Sequence, residues 1–206
     1  MSATHLGHVH QFVPGNGTDD IVLLMLHGTG GDEHDLIPLA RALRPGAAVL
    51  SPRGNVLENG MPRFFRRLAE GVLDLDDLAR RTDELTLFIG RAAEQYGIDS
   101  AKLVAVGFSN GANIAASVLL RHPGTLRRAV LLSPMLPFEP ETNPALTGTS
   151  VFIGAGRRDA IIPIAQAERL GELLKASGAD VTLFEHDGGH TITNDELTAV
   201  RTWLSR

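Results

Sequence analysis

The chain reads as an α/β fold, a mostly parallel sheet with helices on both faces. Three observations predict it. Short apolar runs alternate along the chain with longer stretches whose apolar residues recur at spacings of three and four. Residues 21–26 are a continuous apolar run, the mark of a strand buried on both faces. And 206 residues, 43% of them hydrophobic and without an internal repeat or linker, suit one domain (1–206) with a sizeable core.

Taken in order, residues 8–13 form a short strand ended by the turn cluster Pro14-Gly15-Asn16-Gly17. The 21–26 strand leads to a helix over 33–43, with Leu36, Leu39, Ala40 and Leu43 on one face, and 47–50 is the next strand. The best helix covers 75–96. Leu75, Leu78, Ala79, Thr82, Leu85, Phe88, Ile89, Ala92 and Tyr96 line one face, and Gly97 stands where a C-terminal cap belongs. Strand 102–106 precedes a helix over 112–121. Strands then fall at 129–132, 149–153 and 181–185, with helices at 163–176 and 194–204. The interval 133–148 holds four prolines and is too short for an inserted lid domain, which predicts an open site edged by loops.

The chemistry concentrates after the strands. Gly107-Phe108-Ser109-Asn110-Gly111 lies between a strand and a helix, the setting of a GxSxG nucleophile elbow. Small residues on either side let the two backbones pass, and the turn lifts the Ser109 hydroxyl above the sheet at the positive end of a helix. His27-Gly28-Thr29-Gly30-Gly31 follows the 21–26 strand. Its glycines leave N–H groups free, so the backbone amides of Thr29 and Asn110 are the candidate oxyanion donors. Asp159 follows the 149–153 strand and His190 the last one, giving the order Ser109, Asp159, His190. Three residues each placed after a parallel strand collect at one end of the sheet. In that constellation neutral His190 takes the Ser109 proton, and Asp159 holds the imidazole tautomer. Asp180 is the weaker acid because it precedes the last strand. His186 is the rival base, but Gly188-Gly189 gives His190 the reach.

Composition removes several classes. The absence of cysteine excludes disulfides, thiolate zinc sites and a cysteine nucleophile. A net charge of −5 argues against nucleic acid or an anionic membrane as the main partner. Residues 1–11 have neither a basic segment nor a long apolar run, so no signal peptide or membrane span is expected, and the cytoplasm is the default location. His5, His8 and His10 cluster near the start, but no cysteine or nearby carboxylate completes a coordination set, so no metal is assigned. His27 is read as a brace of the oxyanion loop. His34, His122 and His186 are read as loop or helix-surface residues.

The 27–31 and 107–111 motifs, with Asp159 and Gly189-His190, resemble the phospholipase/carboxylesterase branch of the α/β-hydrolases, which includes acyl-protein thioesterases. Residues 53–67 are similar to a segment of bacterial carboxylesterase-like hydrolases linked to hydroquinone and catechol stress, some beside or fused to ring-cleaving dioxygenases. The resemblance implies an α/β-hydrolase fold and serine ester hydrolysis without a cofactor. Acyl-protein thioesterases commonly carry Gln then Gly after the nucleophile. Asn110-Gly111-Ala112 departs from that pattern, which counts against long-acyl thioesters.

The 53–67 segment follows a strand and so can reach the site rim. Phe64 and Phe65 are candidate walls for an acyl or aromatic group, and Arg53 for a substrate carboxylate or phenolate. The structural alternative packs a Phe inward and pairs the arginines with Glu58, Glu70 and Asp74. Met135, Leu136, Phe138 and Ile161 are further wall candidates. The expected activity is cleavage of small to medium carboxylic esters, aromatic or phenol-derived ones included, with a small-molecule ester as partner. An acyl thioesterase or lysophospholipase is the alternative, and a non-catalytic ligand-binding protein the reading from another class. A homodimer fits small proteins of this fold, with no patch identifiable from periodicity.

Overall fold

Uninterrupted apolar strands are stable only where helices cover both faces of their sheet, and that demand organises the chain. The computed structural model describes residues 6–69 and 71–206. In chain order the elements are β1 (His10–Val13), β2 (Val22–Leu26), α1 (Ile37–Leu43), β3 (Ala48–Pro52), β4 (Val56–Glu58), β5 (Met61–Arg63), β6 (Arg67–Ala69), β7 (Val72–Leu73), α2 (Leu75–Tyr96), β8 (Leu103–Phe108), α3 (Asn110–Arg121), β9 (Arg128–Leu132), β10 (Ser150–Gly156), α4 (Ile164–Ala176), β11 (Asp180–His186) and α5 (Asn194–Leu204). Seven strands pair in the order β1-β3-β2-β8-β9-β10-β11. All neighbours are parallel except β1, which runs antiparallel along β3 at the edge.

Alternation along the strands divides the core into two layers. Leu24, Leu26, Ala105 and Leu131 pack beneath α2, α3 and α4, while Leu23, Met25, Val104, Val106 and Val130 pack beneath α1 and α5. The expected boundaries of α2 and α5 hold because both helices carry strong ends. The Asp74 side chain accepts from the Asp77 N–H, and Gly97 takes the left-handed conformation at φ 65°. Thr193 and Glu196 form a capping box on α5.

Two elements depart from the sequence reading. The first helix begins at Ile37 rather than residue 33, because Asp32 accepts from the His34 N–H in a local turn and Glu33 is drawn away into an ion pair. Two small antiparallel pairs, β4 with β5 and β6 with β7, are elements that the sequence reading leaves out. The β4–β5 turn is Asn59-Gly60, both at positive φ (51° and 79°), as the tight turn favoured between twisted antiparallel strands requires.

Strand order reverses between β2 and β8, where the chain, having built outward through β3, returns to the centre. A crevice opens outside the carboxyl ends of strands at such a point. The loops after β2, β8, β10 and β11 carry Thr29, Ser109, Asp159 and His190 to that end of the sheet.

Candidate active site

Ser109 occupies a backbone conformation that only a tightly constrained turn maintains, φ 52° and ψ −114°. Its N–H donates to the Leu132 carbonyl (2.9 Å), and its own carbonyl accepts from Asn113 (2.9 Å) as α3 begins. The flanking glycines are sterically required. A Cβ on Gly107 would lie 2.5 Å from the Gly111 carbonyl oxygen, and one on Gly111 would collide with the Leu26 carbonyl. The hydroxyl stands 2.9 Å from His190 Nε2, and His190 Nδ1 stands 2.7 Å from Asp159 Oδ2.

The acid is fixed on its other side. Asp159 Oδ1 accepts from the backbone N–H groups of Ile161 (2.8 Å) and Ile162 (2.9 Å), which leaves Oδ2 for the imidazole. That network assigns the Nδ1–H tautomer to His190 and turns Nε2, as acceptor, toward the Ser109 hydroxyl. The acid and base loops are also joined to each other. Arg157 N–H donates to the His186 carbonyl (2.8 Å), and Arg158 N–H to that of Gly188 (3.0 Å). Gly156 makes the approach possible, since a Cβ there would strike the Gly188 and Gly189 carbonyls.

The Thr29 and Asn110 N–H groups have no acceptor among the described residues, whereas the neighbouring Gly30 and Gly31 amides are bonded. Segment 53–65 holds both donors in place. Gly30 N–H donates to the Pro62 carbonyl (2.9 Å), Arg63 Nη1 to Thr29 Oγ1 (2.8 Å), and Phe64 N–H to Asn110 Oδ1 (2.7 Å). His27 completes the clasp. It donates from Nδ1 to the Gly28 carbonyl (2.6 Å) and accepts at Nε2 from Gly54 N–H (3.0 Å). Burial lowers its pKa, so it stays neutral and keeps both bonds. The expected brace is present, but its anchor in the 53–65 segment was not anticipated.

A cavity of about 450 Å³ opens over Ser109 and His190. Its apolar lining comes from Leu73, Phe108, Met135, Ile161, Ile162 and Pro163, and its polar lining includes Arg63, Arg67, Asn113 and Gln166. Met135 and Ile161 thus lie where the sequence reading puts them. Arg53, Phe64 and Phe65 do not. Arg53 is turned away by Glu33, which it grips with Nε (2.5 Å) and Nη2 (2.8 Å). Phe64 and Phe65 are both fully buried in the core layer beneath α2 and α3, with Phe64 against the His27 ring at 4.8 Å. Leu136 and Phe138 likewise pack on the core instead of lining the cavity. The pocket arginines are Arg63 and Arg67, three and seven residues past the Asn59-Gly60 turn.

Other histidines are partly reassigned. His8 and His10 are buried, as one strand face implies, and both rings meet the edge of Phe88 at 5.1 Å. His8 Nδ1 bonds the Arg53 carbonyl and His10 Nε2 the Tyr96 hydroxyl, so their polar atoms serve packing. His5 lies outside the described residues. His34 and His122 are at the surface, but His186 is buried beside Glu196, with Nε2 3.7 Å from its carboxylate. Its Nδ1 accepts from the Gly188 N–H (3.0 Å), which helps fix the loop that carries His190. No described helix is long and apolar enough to cross a membrane.

A mostly parallel sheet whose carboxyl edge carries a serine elbow, an acid loop and a base loop in that order defines the α/β-hydrolase class. The chain belongs to the phospholipase/carboxylesterase family, whose family model matches residues 10–206. It is 49% identical to a protein named as a hydrolase, MhqD of Bacillus subtilis (strain 168), over 91% of this chain and 94% of that one. The crystal structure of the Bacillus cereus carboxylesterase is also 49% identical, with a TM-score of 0.93 over 96% of this chain and 93% of that chain. A carboxylesterase from Mesorhizobium loti is 30% identical with a TM-score of 0.94, covering 100% and 98% of the two chains. The expectations of an α/β-hydrolase fold and a carboxylesterase-like hydrolase are borne out.

Proposed function

We propose that the protein is a serine carboxylesterase that cleaves small to medium carboxylic esters through an acyl-enzyme. The observation that carries this reading is the 2.9 Å and 2.7 Å relay from Ser109 through His190 to Asp159, set beside two unspent backbone amides. Ser109 Oγ attacks the ester carbonyl carbon while His190 Nε2 takes its proton, and the carbonyl oxygen becomes an oxyanion held by the Thr29 and Asn110 N–H groups. Collapse breaks the ester C–O bond. His190 returns the proton to the departing alcohol, and Asp159 steadies the imidazolium in between. Water, deprotonated by the same imidazole, then attacks the acyl-enzyme and releases the acid. The cavity volume falls in the range that suits small ligands and supports the size of ester proposed. An aromatic acyl or phenolic group would rest against Phe108, Met135 and Ile161.

The test is hydrolysis of p-nitrophenyl esters from acetyl to palmitoyl, with Ser109→Ala alongside. Wild-type turnover is expected to peak on short chains and to fall roughly 10⁴-fold or more in the variant. Activity that survives Ser109→Ala would rule out the covalent mechanism, and a maximum on long chains would move the reading to a thioesterase or lysophospholipase.

A further inference from the structure

We infer that the ester recognised here carries a second, ionised carboxylate, bound by the Arg63 guanidinium in the lining of the cavity. The inference rests on the esterase reading above and names its substrate class. Arg63 and Arg67 both line the cavity, and no Asp or Glu does among the described residues. They share one acid, Glu58, which Arg67 Nε bonds at 2.9 Å and Arg63 Nε meets at 3.3 Å. Among the described residues, one carboxylate between two guanidinium groups leaves one positive charge in this part of the lining.

That charge is largely withdrawn from solvent. The Arg63 side chain is only 6% exposed, and burial pulls its pKa down, against the pull of Glu58. A guanidinium nevertheless stays charged across the physiological range. Its Nε also donates to the Phe65 carbonyl (3.2 Å) and its Nη1 to Thr29 Oγ1, while Nη2 meets no acceptor among the described residues. A cation with one donor unpaired among the described residues and not buried, beside the proposed oxyanion site, is placed to donate to an anionic acceptor. The single net charge matches a carboxylate better than a dianionic phosphate. Phe108, Met135, Ile161, Ile162 and Pro163 offer apolar surface for the rest of the molecule, which suits a short hydrocarbon spacer between ester and acid.

The carboxylate can sit on the acyl or the alcohol side, and two isomers separate these cases: monomethyl glutarate and 4-acetoxybutyrate. Their neutral counterparts are dimethyl glutarate and butyl acetate, with kcat/KM followed by titration of released acid. Wild type is expected to prefer the anionic member of at least one pair by about 10- to 100-fold, the range for a charge-assisted hydrogen bond. Arg63→Gln should bring that ratio close to one, over and above the kcat loss common to all four esters that follows from losing its bond to Thr29 Oγ1. Glu58→Gln should move it the other way, since the wall then carries two unneutralised charges, and this variant decides the matter if Arg63→Gln does not fold. No anionic preference in wild type, or a ratio unchanged in Glu58→Gln, would overturn the inference. So would an Arg63→Gln loss shared equally by neutral and anionic esters through kcat, which would assign Arg63 to the oxyanion site alone. Turnover of neutral esters without selectivity leaves the esterase reading standing. Absence of turnover on all four substrates overturns both.

Discussion

Glu196 gives the fold a pH dependence that one substitution isolates. It is the third residue of α5, and it accepts from the Thr193 N–H at 3.4 Å as half of the capping box. Yet the side chain is 1% exposed, and its Oε1 finds no hydrogen-bond partner among the described residues. Burial therefore pushes its pKa up from 4.5 to about 7, against the smaller opposing pull of the Thr193 bond. A folded state that holds a proton more tightly than the unfolded chain has its full advantage below the unfolded pKa. It loses that advantage as pH rises through the folded one. The window is therefore about pH 4.5 to 7, and at about 1.4 kcal/mol per unit the loss is about 3 kcal/mol. Glu196→Gln keeps the capping geometry and removes the titration. Urea unfolding of both proteins at intervals from pH 5 to 8 reads the difference, because every other titrating group is common to the two. The wild type should lose stability relative to the variant across that range, by an amount approaching 3 kcal/mol. Parallel pH profiles would refute the reasoning and would mean that Glu196 is ionised throughout, compensated by His186 3.7 Å away.

Two further substitutions probe the corrected assignments. Asn110→Ala removes the acceptor of the buried Phe64 N–H. It should cost about 1–3 kcal/mol in thermal or urea unfolding, with a lower kcat from the loosened amide pair, and an unchanged melting temperature would show that the contact is not stabilising. Phe64→Ala should cost about 3–5 kcal/mol as a cavity in the core. A rise in KM without loss of stability would instead return Phe64 to the pocket wall.

Much of the site is legible in the sequence because its parts obey local rules. The elbow needs glycines at 107 and 111 for steric reasons that any such turn shares, and Asp159 and His190 announce themselves by following strands. Helices α2 and α5 were placed correctly because their ends are chemically marked by Asp74, Gly97 and Thr193. The 53–73 segment fails to read this way for two reasons. Its Asn59-Gly60 turn is a local signal that was passed over, and with it went the register that points Arg63 inward. The fate of Arg53 is different, because Glu33 lies 20 residues away and nothing local says which of several arginines it will capture. Phe64 and Phe65 are adjacent, so alternation predicts one inside and one outside. Both are buried because they lie between β5 and β6, outside any strand, where alternation does not govern which way a side chain turns.

The clasp formed by residues 53–65 has a consequence for how such proteins diverge. The two amides it steadies, at Thr29 and Asn110, stand 81 positions apart in the chain and follow separate strands, yet a single short segment grips both. A descendant that recast the Asn59-Gly60 turn at its tip would inherit the sheet, the serine relay and the buried Phe64 and Phe65, whereas any change that shifts Phe64 disturbs the core and the Asn110 contact together. Under the function proposed above, oxyanion geometry and substrate charge are thereby tied to the core through one stretch, so inherited variation in them is screened by folding before it is screened by activity.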